Sequence, residues 1–304
     1  MRNVAPLFRV TGPLLLALVL DTCFGEPPPQ LHPVVWMGHV LRWLEARATH
    51  DERARLVYGL LVALGLPLAW GGLAAQLEQR VNWPIEGALL APTFAGRALL
   101  EAASRVERAL AEMRLGDARH ELRWLVSRPT ERLDESLVSA AVIESLAENF
   151  VDSWVAPLLA YAAFGLAGAY AYRAANTADA MWGYHSPAYE WLGKGAARLD
   201  DVMNLVPARI GTAILILVSP NRRASLQVWR TNSGRTASPN AGQSMADMAG
   251  ALGVRLEKRG QYVLHPESDT PLIMDIGRAC RMVRRAMLVS AGLTLLVRMR
   301  IRRG

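Results

Sequence analysis

Residues 56–75, LVYGLLVALGLPLAWGGLAA, run for twenty positions without a charged side chain, and no other stretch restricts the chain as much. At a rise of about 1.5 Å per residue such a run spans about 30 Å, and only a helix satisfies its own backbone N–H and C=O groups in hydrocarbon. Other apolar runs, at 5–20, 85–100, 154–172, 205–219 and 285–297, are shorter or are interrupted by Gly, Pro or Arg. The overall content, 52% hydrophobic with a positive mean hydropathy, lies above the usual soluble range. Period-2 alternation over strand lengths is missing throughout. The expectation is an all-α, polytopic integral membrane protein with about four to six membrane segments, some of them broken or re-entrant.

The first apolar run leads into the acidic DTCFGEPPP without a small-residue cleavage pattern, so it reads as a retained span and not a signal peptide. Cys23 and Cys280 have no spacing suited to zinc or to a disulfide framework. The net charge of +7 comes almost wholly from arginine, with Lys194 and Lys258 the only lysines. Arginine clusters at 42–55, 105–128 and 278–285 belong on the cytoplasmic side under the positive-inside bias. They lack interleaved aromatics and fit no nucleic-acid module, so no nucleic acid partner is expected. Residues 97–126 read as a long amphipathic helix with Leu99, Leu100, Val106, Leu110 and Met113 on one side, broken near Gly116. The chain is therefore divided as one membrane-embedded catalytic domain, 1–304, carrying an amphipathic cytoplasmic helical insertion at 97–135.

Inside the oily sequence lies ESLAENFVDSW, Glu144 to Trp154. At 3.6 residues per turn, Glu144, Glu148 and Asp152 fall at i, i+4 and i+8, which stacks three carboxylates near one helix face. A solvated helix face is the ordinary reading of such a pattern, but apolar sequence on both sides opposes it. Four further polar islands interrupt the apolar segments: 21–38, DTCFGEPPPQLHPVVWMG; 172–184, YRAANTADAMWGY; 198–210, RLDDVMNLVPARI; and 238–253, SPNAGQSMADMAGALG. Each combines prolines or glycines with acids, amides or cations. Acids suit magnesium and arginines suit phosphate. Neither GxxxxGK[ST], nor a Gly-rich dinucleotide fingerprint, nor a GxSxG elbow is present.

The five islands, in this order, resemble the adenosylcobinamide-phosphate synthase family of cobalamin biosynthesis over nearly the whole chain. The resemblance implies a multi-pass inner-membrane enzyme, with its active site facing the cytoplasm. Its reaction would join a carboxylate of adenosylcobyric acid to aminopropanol or aminopropanol phosphate, using ATP and Mg2+ through an acyl phosphate. The corrinoid is then a substrate and not a cofactor. Membrane lipid and other late cobalamin-pathway membrane enzymes are the remaining expected partners. Three departures from the family pattern stand out. Arg128-Pro129-Thr130 replaces an Arg-Asp-Thr triplet, Gln243 replaces an aromatic after the SPNAG turn, and no Gly-Gly precedes Tyr262.

Charge then distributes roles among the island residues. Glu144, Glu148 and Asp152, with Asp201, are expected to bind the metal, because hard divalent cations take carboxylate oxygens. Arg173 and Arg209 are expected to hold phosphates, with Asn176 beside them, and the turn Asn240, Gly242, Ser244 to cradle another through backbone N–H groups. His32, Glu148 and Asp179 are the expected catalytic groups. Histidine suits proton acceptance from an attacking ammonium, since its ordinary pKa lies nearest neutrality. An ion-coupled transporter, or a membrane sensor on the same scaffold, is the alternative; a carrier predicts inverted repeats, and none is found. Any break in the apolar segments is expected at Pro157, Gly165, Gly168 or Pro207.

Overall fold

The computed structural model describes residues 4–184 and 186–301, with side chains considered from Val10 to Arg300. Its elements in chain order are α1 (Val4–Phe24), α2 (Pro33–Glu45), α3 (Glu52–Glu78), α4 (Trp83–Leu90), α5 (Gly96–Ala111), α6 (Leu115–Leu122), α7 (Glu135–Phe150), α8 (Ala156–Trp182), α9 (Lys194–Val218), α10 (Arg222–Asn232) and α11 (Ala241–Leu252), then the strands β1 (Leu256–Lys258) and β2 (Tyr262–Leu264), and α12 (Ile273–Ile301). The protein is an all-α membrane protein, with one short antiparallel hairpin among the described residues.

Three helical runs are long and apolar enough to cross a membrane: Glu52–Glu78, Glu135–Trp182 and Lys194–Val218. Val10–Phe24 is a shorter apolar helix. The expected segment at 85–100 is not a span, because α4 ends after eight residues in a 3-10 turn, Ala91–Thr93, before the amphipathic α5 starts. The amphipathic insertion breaks slightly earlier than expected, at Met113, which takes a positive φ of 57° between α5 and α6.

Two compact units make up the chain. Unit 1 comprises residues 1–95, 156–204 and 292–304; unit 2 comprises 96–155 and 205–291. In unit 1, α3 packs along α8. Gly71 permits the approach, since a Cβ there would stand 3.1 Å from the carbonyl oxygen of Ala167. A buried polar cluster ties α12 to α4 and α8. Tyr161 Oη donates to Glu86 Oε1 at 2.7 Å, while Arg298 donates to Tyr161 Oη and to its carbonyl oxygen, both at 3.1 Å. The Arg298 guanidinium also stands 4.2 Å from the Tyr161 ring centroid. In unit 2, α7 is buried along nearly its whole length, and α10 packs on α11.

Two breaks interrupt the run Glu135–Trp182. A π turn at Val151–Val155 precedes Pro157, whose ring excludes the carbonyl four residues back, that of Ser153, from an ordinary helical bond. Within α8, Gly165 adopts φ 66° and ψ −153°, a conformation open essentially to glycine alone. The Glu78 carboxylate fills the notch and accepts the Leu166 N–H at 2.9 Å, so the last residue of α3 caps the second half of α8. Helix α9 runs through Pro207 without interruption, and Gly168 stays helical.

Gly165→Ala is expected to destabilise the protein by roughly 1–3 kcal/mol, since it combines a forbidden φ with a Cβ placed 2.5 Å from Glu78 Oε2. At Gly72, where an added Cβ meets open space within a helix, alanine should be neutral or stabilising by up to about 1 kcal/mol. Thermal unfolding of the detergent-solubilised variants measures both, and equal effects at the two sites would contradict the capped break.

Unit 2 also carries a buried acid between α10 and α11. Asp247 is fully buried; its Oδ1 makes a short hydrogen bond with the Ser225 hydroxyl and its Oδ2 has no hydrogen-bond partner. Burial pushes the Asp247 carboxyl up to about 7, against the opposing effect of Ser225. The folded state therefore holds a proton that the unfolded chain releases near pH 4, so stability falls as pH rises from about 4 to 7 and levels off above. Replacing Asp247 with Asn removes this slope, and the melting temperature of the variant relative to the unmodified protein should be higher at pH 8 than at pH 5. A pH-independent difference would contradict the assignment.

Candidate functional site

In unit 1 three of the polar islands converge. Helix α8 brings Tyr172, Arg173 and Asn176 towards Asp200 and Asn204 of α9. The last two are one helical turn apart and so share a face. Asp200, itself buried, accepts from Asn176 Nδ2 at 3.3 Å and from Asn204 Nδ2 at 2.9 Å. Asn204 Oδ1 in turn accepts from the Tyr172 hydroxyl at 2.9 Å, and Arg173 donates to Asn176 Oδ1 at 3.3 Å. Every amide in this chain is thereby oriented by a partner on each side.

The 21–38 island joins the network through charge. His32 caps α2, its Nδ1 accepting the Val34 N–H at 3.2 Å, which leaves Nε2 as the protonated nitrogen of the neutral ring. Nε2 lies 3.8 Å from Glu26 Oε1. The facing His32 ring, and less strongly the charge of Arg173, hold the Glu26 carboxyl below the usual range despite partial burial. Beside Glu26 opens an apolar cavity of about 540 Å3 lined by Phe24, Pro28, Trp36, Trp70, Leu73 and Tyr170, among others. Asp201 is half-buried next to Asp200. Asp179 lies in the last turns of α8, where its carboxylate occupies the space that a Cβ on Gly183 would need.

In unit 2, Glu144 and Glu148 line one polar cavity of about 120 Å3. Glu144 is buried and accepts from Arg128 at 2.9 Å; its Oε1 is buried too and takes no hydrogen bond of ordinary geometry. Asp152 does not line the cavity, although periodicity stacks it with the two glutamates. It sits in the π turn that follows α7. Opposite α7, the hairpin contributes Lys258 and Tyr262, which are register partners. Sequence reasoning gave neither residue a role. That Lys258 is one of two lysines among many arginines was the available signal.

The Asn240 turn is also in unit 2. Arg209 is exposed and donates to Asn240 Oδ1 at 2.8 Å, so the expected phosphate arginine and the expected cradle do meet. The turn is partly satisfied from within: Ser238 Oγ accepts the N–H groups of Asn240 and Ala241, and Gly242 packs under the Ser233 carbonyl. Gln243 bridges the Trp229 indole N–H and the Pro239 carbonyl. Ser244 Oγ is buried without a hydrogen-bond partner.

Among the described residues, no group of three or more acids, histidines or cysteines lies close enough to hold a metal ion. Glu144 and Glu148 do not fit a cage for a bare divalent cation, because Arg128 and Lys258 already bring positive charge to the same cavity.

Residues 14–289 match the family model described as CobD/Cbib protein. Similar curated proteins include the probable cobalamin biosynthesis protein CobD of Methanothermobacter thermautotrophicus, 40% identical with 84% of this chain and 87% of the relative aligned. The cobalamin biosynthesis protein CobD of Chromobacterium violaceum is 40% identical over 93% of this chain and 95% of its own length. That of Dehalococcoides mccartyi is 41% identical over 82% and 85%. No solved structure matches. A family match over most of the sequence, together with relatives at this identity and coverage, leads to one conclusion: the chain belongs to the CobD/CbiB family.

Proposed function

We propose that this protein acts in cobalamin biosynthesis as an ATP-dependent amide synthase, joining a carboxylate of adenosylcobyric acid to aminopropanol or its phosphate. The observation that carries the reading is the succession of five polar islands, in order, within the matched residues 14–289. That three of them build one charge-oriented network in unit 1 supports it.

A carboxylate does not condense with an amine at neutral pH without activation. The terminal phosphoryl group of ATP transferred to the corrinoid carboxylate gives an acyl phosphate and ADP; attack by the amine then forms the C–N bond and expels phosphate. Magnesium would arrive with the nucleotide, for which one or two protein carboxylates suffice, and Asp201 is the candidate. Arg173 is assigned to phosphate oxygens, with Asn176 orienting it. His32 takes the proton lost by the ammonium at Nδ1, giving up its bond to Val34, and the Glu26 carboxylate stabilises the resulting imidazolium. The apolar cavity beside Glu26 offers room for part of a large, flat substrate. The active site is taken to face the cytoplasm from the inner membrane, where both ATP and corrinoid are available.

Purified protein in detergent, mixed with adenosylcobyric acid, aminopropanol phosphate, ATP and magnesium, should yield the amide by mass spectrometry together with ADP. AMP and pyrophosphate in place of ADP would replace the acyl phosphate by an acyl adenylate, and no amide with either amine would remove the reading. Arg173→Lys should lower turnover at least tenfold, because a point charge does not reproduce the planar fork that reaches both Asn176 and an oxyanion. Unchanged turnover in that variant would take Arg173 out of the site.

A further inference from the structure

The 120 Å3 cavity of unit 2 has a charge pattern that neither a metal ion nor a nucleotide explains. One wall is α7, which presents Ala141, Glu144, Ser145 and Glu148 at helical spacing. Facing it, the segment after α6 supplies Arg128, and the hairpin supplies Lys258 and Tyr262, held side by side by their pairing across β1 and β2. Two carboxylates and two cations thus border a space that would take about four waters at roughly 30 Å3 each. Charges of both signs around so small a volume suit a ligand that itself carries both.

We propose that the cavity bounded by Arg128, Glu144, Glu148, Lys258 and Tyr262 holds a small zwitterion, its ammonium on the glutamates and its phosphate on Arg128 and Lys258. The buried Glu144 Oε1, without an ordinary hydrogen bond, and the buried Arg128 Nε, likewise without a partner, are a complementary acceptor and donor that a ligand of this kind would satisfy. A bare divalent cation would meet Arg128 and Lys258 as like charges. A nucleotide is far too large, since sites for ligands of that size enclose about 300 Å3 or more. The tyrosine contributes a hydroxyl, 3.6 Å from Met245 Sδ, that also bears on Glu144. Choosing an amino-alcohol phosphate as the zwitterion rests on the reading of the chain as an amide synthase; in that setting Lys258 decides between the phosphorylated and the free amino alcohol bound in this unit.

Calorimetric titration of the full-length protein in detergent, without ATP or corrinoid, tests the assignment. Aminopropanol phosphate and phosphoethanolamine should bind, with ethanolamine and inorganic phosphate each at least about tenfold weaker. Lys258→Met, at a half-exposed hairpin position, should weaken the phosphate esters at least about tenfold and leave ethanolamine unchanged; Glu148→Gln, which keeps the side-chain shape, should weaken both. Ester binding unaffected by both substitutions would overturn the proposal. So would phosphate binding as tightly as the ester, magnesium binding alone that Glu148→Gln abolishes, or no binding of any zwitterion at millimolar concentration. The test is separable from the synthase reading: unmodified protein that binds the ester but makes no amide keeps the site and loses the reaction, whereas amide formation with an unchanged amine KM in Lys258→Met keeps the reaction and moves the site.

Discussion

A carboxylate carried into an apolar helix must be met by donors, because its ionised form loses most of its hydration there and gains it back only through charge-assisted hydrogen bonds. Acids that are buried or half-buried in this chain follow that constraint by different routes. Glu86 is met by Tyr161 and, at 3.8 Å, by Arg298. Glu78 takes the N–H that the break at Gly165 releases. Glu144 takes Arg128, and Asp200 takes two amides. Removing one partner from such a buried pair typically costs about 3–5 kcal/mol, which makes each of them a fixed point for the helices it joins.

The same constraint accounts for the irregular helix geometry. An uninterrupted α8 would have no free N–H for Glu78, and an uninterrupted passage from α7 through Pro157 would force the proline ring against a carbonyl. A kink therefore does two things at once: it relieves a local conflict and exposes backbone donors inside a helix.

In unit 1 the polar network is built from amides between charges. Asn176 and Asn204 each have a donor and an acceptor side, and each uses both, which links Arg173, Asp200 and Tyr172 in one network. In unit 2 the central contact is a direct Arg128–Glu144 ion pair with spare polar atoms on both partners.

Much of this was legible in the sequence. The helical class and membrane character follow from local periodicity and the length of uncharged runs, which need no knowledge of what packs where. The five islands identify the family, and the expected weak points at Pro157 and Gly165 are where the run Glu135–Trp182 departs from α-helix, because proline sterics and glycine φ are properties of single residues. Pro207 shows the limit of that rule, for α9 continues through it. What only the tertiary structure decided is partnership. Arg128 is sixteen residues from Glu144, Lys258 lies on a hairpin far along the chain, and Glu78 meets Leu166 across eighty-eight positions. Spacing along a helix tells which carboxylates share a face, but whether they face a metal, a cation or a ligand depends on what distant segments bring opposite them, and that is set by packing.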